Sequence, residues 1–256
     1  MNTILMLMTF VSFFAALSIH YAFQAFVSAM LGDGSVSRSG RLNINPLKHA
    51  DVIGVSVAVV SAFPLGGAPV GLGWGKLVRP DAKNFRIDPN IGVVLVGLSG
   101  ICINIVTGIV TAIVLGILPY GQLNFAAKFC LSNDILAGGP LQTCLIGWQN
   151  GAALRVEQFF FVFAAVNISI GLLNILPLFP LDGYHIVFGL LPTNAALQYR
   201  RSEANQQLIL LGILFLLPLL LQFIGFLFSP SELLFQLSAN IAAIFTGPVG
   251  AFALRL

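Results

Sequence analysis

Charged residues are scarce in this chain: Asp, Glu, Lys and Arg make up 8% of its 256 residues, against about 25% in soluble domains. Hydrophobic residues make up 57%, and several apolar runs reach the roughly 20 residues that cross a bilayer as a helix. The runs do not show the short alternating segments of a β-barrel. Composition therefore excludes a soluble domain and predicts an all-α polytopic membrane protein.

Cysteine is also scarce: the chain has three, and their spacing is not that of a zinc site. Cys102 lies in an apolar run, where we expect a small buried residue. Cys130 and Cys144 share one polar loop, and a disulfide between them is possible if that loop faces an oxidising compartment. No basic stretch precedes the first apolar run and no clear cleavage site follows it, so we expect a retained helix rather than a signal peptide.

The apolar runs predict five to six membrane segments in a single membrane domain, residues 1–256. One segment is too short for an ordinary span, and we expect it to be short or re-entrant. The segments cover residues 3–31, 52–63, 91–118, 158–176, 206–228 and 231–256. They divide into a first half, 1–118, a polar loop insertion, 119–157, and a second half, 158–256.

Basic residues concentrate in three connecting segments, residues 36–51, 76–86 and 200–201. The positive-inside rule places these segments in the cytoplasm and loop 119–157 outside. We therefore expect an integral membrane protein, of the bacterial inner membrane. The net charge of +3 is small, so we predict no nucleic-acid partner.

The first apolar run contains polar residues at His20, Tyr21 and Gln24. Polar groups at membrane depth are costly, which makes them candidates for a functional site. His20 and Gln24 are four residues apart and share one helix face. This is the spacing of H-E-x-x-H, in which two His bind zinc and Glu is the general base. Here Tyr21 stands at the position of the Glu and Gln24 at that of the second His.

A second motif begins at Asn174 and ends at Gly183, with the sequence N-I-L-P-L-F-P-L-D-G. It resembles the N-x-x-P-x-x-P-L-D-G motif of the site-2 protease family, peptidase M50, whose members are intramembrane metalloproteases. Three further segments resemble that family in the same order. They are residues 40–49 (G-R-L-N-I-N-P-L-K-H), 73–86 (G-W-G-K to N-F-R) and 99–104 (S-G-I-C-I-N).

The resemblance implies a helical core with a zinc site formed by two helices near the cytoplasmic side. By position, His20 corresponds to the first zinc ligand and Asp182 to the third, and Asn174 to a residue that holds substrate or transition state. Tyr21 replaces the general base and Gln24 replaces the second ligand. A catalytic zinc site keeps three protein ligands and a water, so the resemblance implies a degraded site.

Three alternatives stay open for these polar residues. His185 lies three residues after Asp182 and is a possible substitute zinc ligand. His20, Tyr21 and Gln24 are otherwise polar contacts between helices, each contributing about 0.6–2 kcal/mol in a membrane. A lone intramembrane His is also a candidate ligand for a haem or chlorophyll, although no second signal supports one.

We therefore expect a catalytically inactive protein that binds other membrane proteins, as an accessory or scaffold subunit or as a non-cleaving binder. The groove between helix one and residues 64–75 is the expected binding surface, with Asn174, Gln24 and Tyr21 as candidate binding residues. The lipid bilayer is the other expected partner. No cofactor is expected. The alternative is an active zinc protease that uses His20, Asp182 and possibly His185. A transporter is disfavoured because the sequence lacks paired broken helices in two matching halves.

Overall fold

The computed structural model describes residues 3–62, 71–117, 152–225 and 230–246. These residues form helices joined by turns and by one non-helical segment, residues 71–81. The helices are α1 (Thr3–Met30), α2 (Gly34–Arg38), α3 (Pro46–His49), α4 (Val52–Ala62), α5 (Pro89–Ile117), α6 (Ala152–Leu173), α7 (Asp182–Leu190), α8 (Thr193–Arg201), α9 (Glu203–Leu211), α10 (Leu217–Phe223) and α11 (Pro230–Thr246). A 3-10 turn, Ala82–Asn84, precedes α5, and a π-helical stretch, Gly212–Leu216, joins α9 to α10.

Three of the described helices are long and apolar enough to cross a membrane, and shorter apolar helices accompany them. The long ones are Met6–Met30, Pro89–Ile117 and Glu203–Phe223, and the shorter ones are Val52–Ser61, Phe159–Leu173 and Leu233–Thr246. The predicted all-α membrane architecture is confirmed. The short segment predicted at residues 52–63 is the helix α4.

Helix α5 lies at the centre of the core, in contact with α1, α6, α7 and α11. Glycines on its inward faces allow close helix approach, which is how membrane helices pack without a hydrophobic driving force. A Cβ at Gly108 would lie 2.5 Å from the side chain of Ile168 in α6. Gly171 of α6 packs in the same way against Ile105 of α5. These contacts fix the depth at which α5 meets its neighbours.

One expectation about the cysteines needs correction, and another falls outside the described residues. Cys102 was expected to be buried, and this was wrong: it is exposed on α5. The reason is helical geometry, because Cys102 lies about 200° around the helix from the inward-facing Gly100. Cys130 and Cys144, and most of loop 119–157, lie outside the described residues.

The apolar segment predicted at residues 158–176 ends in a helix break that positions the candidate site. Helix α6 ends at Leu173, three residues before the predicted end, because Pro177 cannot continue a helix and disfavours helical geometry before it. Helix α7 then begins at Asp182. The connector around Arg200 and Arg201 is itself helical, as α8.

Candidate functional site

Helices α1 and α7 bring His20 and Asp182 together in the core. The Nε2 atom of His20 lies 2.8 Å from Oδ2 of Asp182, and both side chains are fully buried. His20 reaches this place from the middle of α1, and Asp182 from the first residue of α7. The two residues are 162 positions apart in the chain, so the contact depends on the helix break before α7.

Gln24 completes the contact between α1 and the carboxylate. It lies one turn after His20 on the same face of α1, and its Nε2 donates a hydrogen bond of 2.6 Å to Oδ1 of Asp182. Both carboxylate oxygens of Asp182 are therefore in contact with side chains of α1. Gln24 is fully buried as well, so this arrangement is shielded from solvent.

Gly100 of α5 leaves the space in which these polar atoms meet. A Cβ at this position would lie 2.5 Å from Oδ2 of Asp182 and 2.6 Å from both Nε2 of His20 and Nε2 of Gln24. Atoms from positions 20, 24 and 182 thus surround one point beside the α5 backbone. Only glycine leaves that point empty.

Asn174 holds the backbone at the start of α7. Its Oδ1 accepts a hydrogen bond of 3.2 Å from the Asp182 N–H, and its Nδ2 donates one of 2.8 Å to the Ile170 carbonyl. Its own carbonyl accepts a bond of 2.7 Å from the Gly183 N–H. The structure therefore gives Asn174 a positioning function: it ties the end of α6 to the residue that carries the carboxylate.

Tyr21 points away from Asp182, toward the non-helical segment 71–81. Its hydroxyl donates a hydrogen bond of 3.1 Å to the Gly75 carbonyl and accepts one of 3.0 Å from the Gly75 N–H. One side chain thus pairs with both the N–H and the carbonyl of one residue, as the backbone of a neighbouring strand would. The segment also contacts α1 at Gly71, which packs on the side chain of Thr9. The sequence reasoning missed this contact, because 54 residues separate its partners.

We expect Tyr21→Phe to lower the free energy of unfolding by about 2–6 kcal/mol, because it leaves two buried backbone groups unpaired at about 1–3 kcal/mol each. Hydrogen exchange at Gly75 should accelerate in the same variant, which mass spectrometry of nanodisc-embedded protein measures. Tyr199→Phe is the matched control, since its hydroxyl donates only to the exposed Pro177 carbonyl. Equal exchange at Gly75 in wild type and Tyr21→Phe would contradict the proposed contact.

His185 lies on α7, one turn after Asp182, and is buried with its Nδ1 atom unpartnered. Across the ranges that the structure describes, no group of three His, Cys, Asp or Glu side chains is placed to hold one metal ion. His185 is therefore not grouped with His20 and Asp182 as a three-ligand metal site in these residues. The third ligand that the alternative hypothesis needs is not supplied by this geometry.

The residues at this site do not fit a catalytic zinc ion. They supply one imidazole, from His20, and one carboxylate, from Asp182, whereas catalytic zinc takes three protein ligands. The third converging residue, Gln24, is a neutral amide, a poorer zinc ligand than imidazole or carboxylate, and its N–H is bound to Asp182. Tyr21 supplies no carboxylate base, and its hydroxyl is bound to Gly75. No step of metal-assisted hydrolysis is assigned to these residues.

Comparison with known proteins identifies a family and a relative. The model of the family described as Peptidase family M50 matches residues 54–219. This range begins after α1, so it does not include positions 20–24. A protein of Bacillus subtilis (strain 168) named "Putative zinc metalloprotease YwhC" is 26% identical over 209 residues, which cover 82% of this chain and 80% of that protein. No solved structure matches the chain.

Proposed function

Because this chain belongs to peptidase family M50, a family of intramembrane zinc metalloproteases, we propose that it is a catalytically inactive member that binds other membrane proteins. The observation that carries the proposal is the pair of contacts made by the Asp182 carboxylate. Gln24 donates to one of its oxygens and His20 contacts the other, where a protease of this family requires a second His and a Glu on the same helix.

In this function the three polar residues act as a brace between helices. His20 and Gln24 hold Asp182, and Asp182 holds the first turn of α7 against α1 and α5. Polar contacts of this kind contribute about 0.6–2 kcal/mol each in membranes. The brace keeps the family's helical frame intact without metal, and that frame then serves for binding rather than for cleavage.

We place the binding surface in the groove between α1 and residues 64–75, of which residues 64–70 lie outside the described residues. Its described part, residues 71–75, is buried: Gly73 packs against Gly54 and Ala58 of α4, and Gly75 against the Tyr21 ring. The Tyr21 hydroxyl holds this wall of the groove beside α1. A transmembrane segment of a partner protein binds here while the chain acts as an accessory or scaffold subunit. The site lies near the cytoplasmic side of a bacterial inner membrane, with loop 119–157 outside.

Metal analysis and a cleavage assay test the inactive state. We expect purified protein in nanodiscs to hold far less than one zinc per chain, and to cut a transmembrane reporter no faster than its Asp182→Ala variant. Stoichiometric zinc with chelator-sensitive cleavage that Asp182→Ala abolishes would overturn the proposal. If that metal were also lost in His185→Ala, the active site with His20, Asp182 and His185 would replace it.

Site-specific photo-crosslinking in membranes tests the binding surface. A crosslinking amino acid at Lys76, exposed at the end of the segment 71–75, should form adducts with other membrane proteins. The same label at Leu219, an exposed apolar position on α10, is the control for random contacts in the bilayer. Equal adduct patterns at the two positions would reject the groove between α1 and residues 64–75 as a binding surface.

A further inference from the structure

The connection between α2 and α4 presents large apolar side chains outward. Ile44 is 71% exposed, Leu47 in α3 is 77% exposed, and Val52 at the first turn of α4 is 83% exposed. Helix α4 is itself apolar and is among the shorter membrane-type helices. The apolar surface of this connection is therefore continuous in sequence with a segment that belongs in the bilayer.

The exposure of these side chains is imposed by an ordered backbone. The Asn45 N–H donates to the Asn43 side chain at 2.9 Å, and the Leu47 N–H donates to the Asn45 side chain at 3.0 Å. The buried His49 lies with Nε2 at 2.6 Å from the Asn43 carbonyl. These bonds fix the side chains of Ile44 and Leu47 on the outside of a tight turn. The protein does not bury their apolar surface there, so in water they would gain no hydrophobic stabilisation.

Three basic residues belong to backbone segments that contact one another here. Arg41 donates from Nη1 to the Lys76 carbonyl at 2.7 Å, and the Lys76 N–H donates to the His49 carbonyl at 2.7 Å. The ammonium of Lys48 lies against Gly40, 3.1 Å from where a Cβ would stand. Burial lowers the pKa of the His49 imidazole, and Arg41 and Lys48 lower it further, against the opposing effect of the Asn43 carbonyl.

The nearby carboxylate of Asp51 offsets only one of these three charges, and its hydrogen bonds are to Trp74 and the start of α4. Oδ2 of Asp51 accepts a hydrogen bond of 3.1 Å from Nε1 of Trp74 and one of 2.9 Å from the Gly54 N–H. Between Val36 and Ala50 the sequence has Arg38, Arg41 and Lys48 but no acidic residue. The patch is therefore basic beside an apolar surface.

We propose that this surface is a binding site for an anionic phospholipid. Arg41, Lys48 and Lys76 hold the headgroup phosphate, and the acyl chains lie over Ile44, Leu47 and Val52. Basic residues at the membrane surface attract anionic lipids, and apolar side chains on such a segment insert into the boundary of headgroup and acyl chain. The site uses neither α1 nor Asp182 and shares only Lys76 with the crosslinking test above, so it does not rest on the proposed binding function.

Native mass spectrometry of the detergent-solubilised chain with added phosphatidylglycerol or phosphatidylcholine tests the lipid site. We expect wild-type protein to retain phosphatidylglycerol preferentially. Lys48→Ser with Lys76→Ser should weaken that retention on the order of tenfold or more, from roughly fivefold per basic residue. Arg200→Ser with Arg201→Ser removes two exposed basic residues at the end of α8 and should leave retention unchanged.

Two further arms separate a lipid from a free phosphate. Ile44→Ser with Leu47→Ser should also weaken phosphatidylglycerol retention, because the acyl chains lose their contacts, while both variants keep wild-type thermal stability. Millimolar glycerol phosphate should not displace the lipid. Equal retention of the two lipids by wild type, equal losses in the 48/76 and 200/201 variants, or displacement by glycerol phosphate would each overturn the proposal.

Discussion

We expect the double variant Tyr21→Glu with Gln24→His to bind about one zinc ion per chain, where the unmodified chain holds far less. The structure places the side chains of positions 20, 24 and 182 around one point beside Gly100. An imidazole at position 24 would give that point two His and one Asp, which is a sufficient protein ligand set for catalytic zinc. A Glu at position 21 restores the residue type that H-E-x-x-H uses as base, but this position faces Gly75, so the expected result is metal binding rather than cleavage. The expected change is therefore large, from no metal site to a complete one.

The two single variants separate the ligand from the base. Gln24→His alone should bind zinc without cleaving a transmembrane reporter, and Tyr21→Glu alone should do neither. Plasma mass spectrometry gives the metal content, and size-exclusion chromatography with a thermal melt shows that each variant is folded. A folded double variant without zinc would mean that α1 and α7 no longer hold a metal-compatible geometry, and the chain would then have diverged in backbone as well as in side chains.

The sequence predicted the elements whose signals are local. The long apolar runs specified α1 and α5 closely, because hydropathy over about 20 residues reports a membrane helix directly. Pro177 indicated the break before Asp182 for the same reason, since the restriction acts on its immediate neighbours. The predicted end of segment 158–176 was less accurate. Helix α6 ends at Leu173, and residues 174–176 form turns before Pro177.

Contacts between distant residues were predictable only in part. The two motifs suggested that His20 and Asp182 approach each other, but the bond from Gln24 to Asp182 joins residues 158 positions apart and has no separate sequence signal. The sequence predicted Tyr21 as the replacement of a base, as a polar contact between helices or as a binding residue, whereas the partner of its hydroxyl is the backbone of Gly75. Backbone groups carry no residue identity, so a side chain that pairs with them leaves no pattern in sequence.

We expect Gly100→Ala to lower the free energy of unfolding by about 2–4 kcal/mol. The new methyl group would stand 2.5–2.6 Å from polar atoms of His20, Gln24 and Asp182, closer than real contacts allow. Overpacking costs about 1–3 kcal/mol, and the displaced polar contacts add about 0.6–2 kcal/mol each. The three side chains are buried between helices, so they cannot move aside into solvent. Steric trapping in bicelles measures the difference from wild type.

Gly212→Ala is the matched control for this variant. Gly212 lies in the π-helical stretch of the same chain, and a Cβ there would meet nothing within 4 Å. Its backbone φ is −59°, so alanine fits without strain and should stabilise the helix by about 0.5–1 kcal/mol. Opposite signs at the two glycines would locate the cost at the brace of His20, Gln24 and Asp182. If Gly100→Ala were as stable as Gly212→Ala, these three side chains would not be packed around Gly100, and the proposed metal-free brace would be wrong.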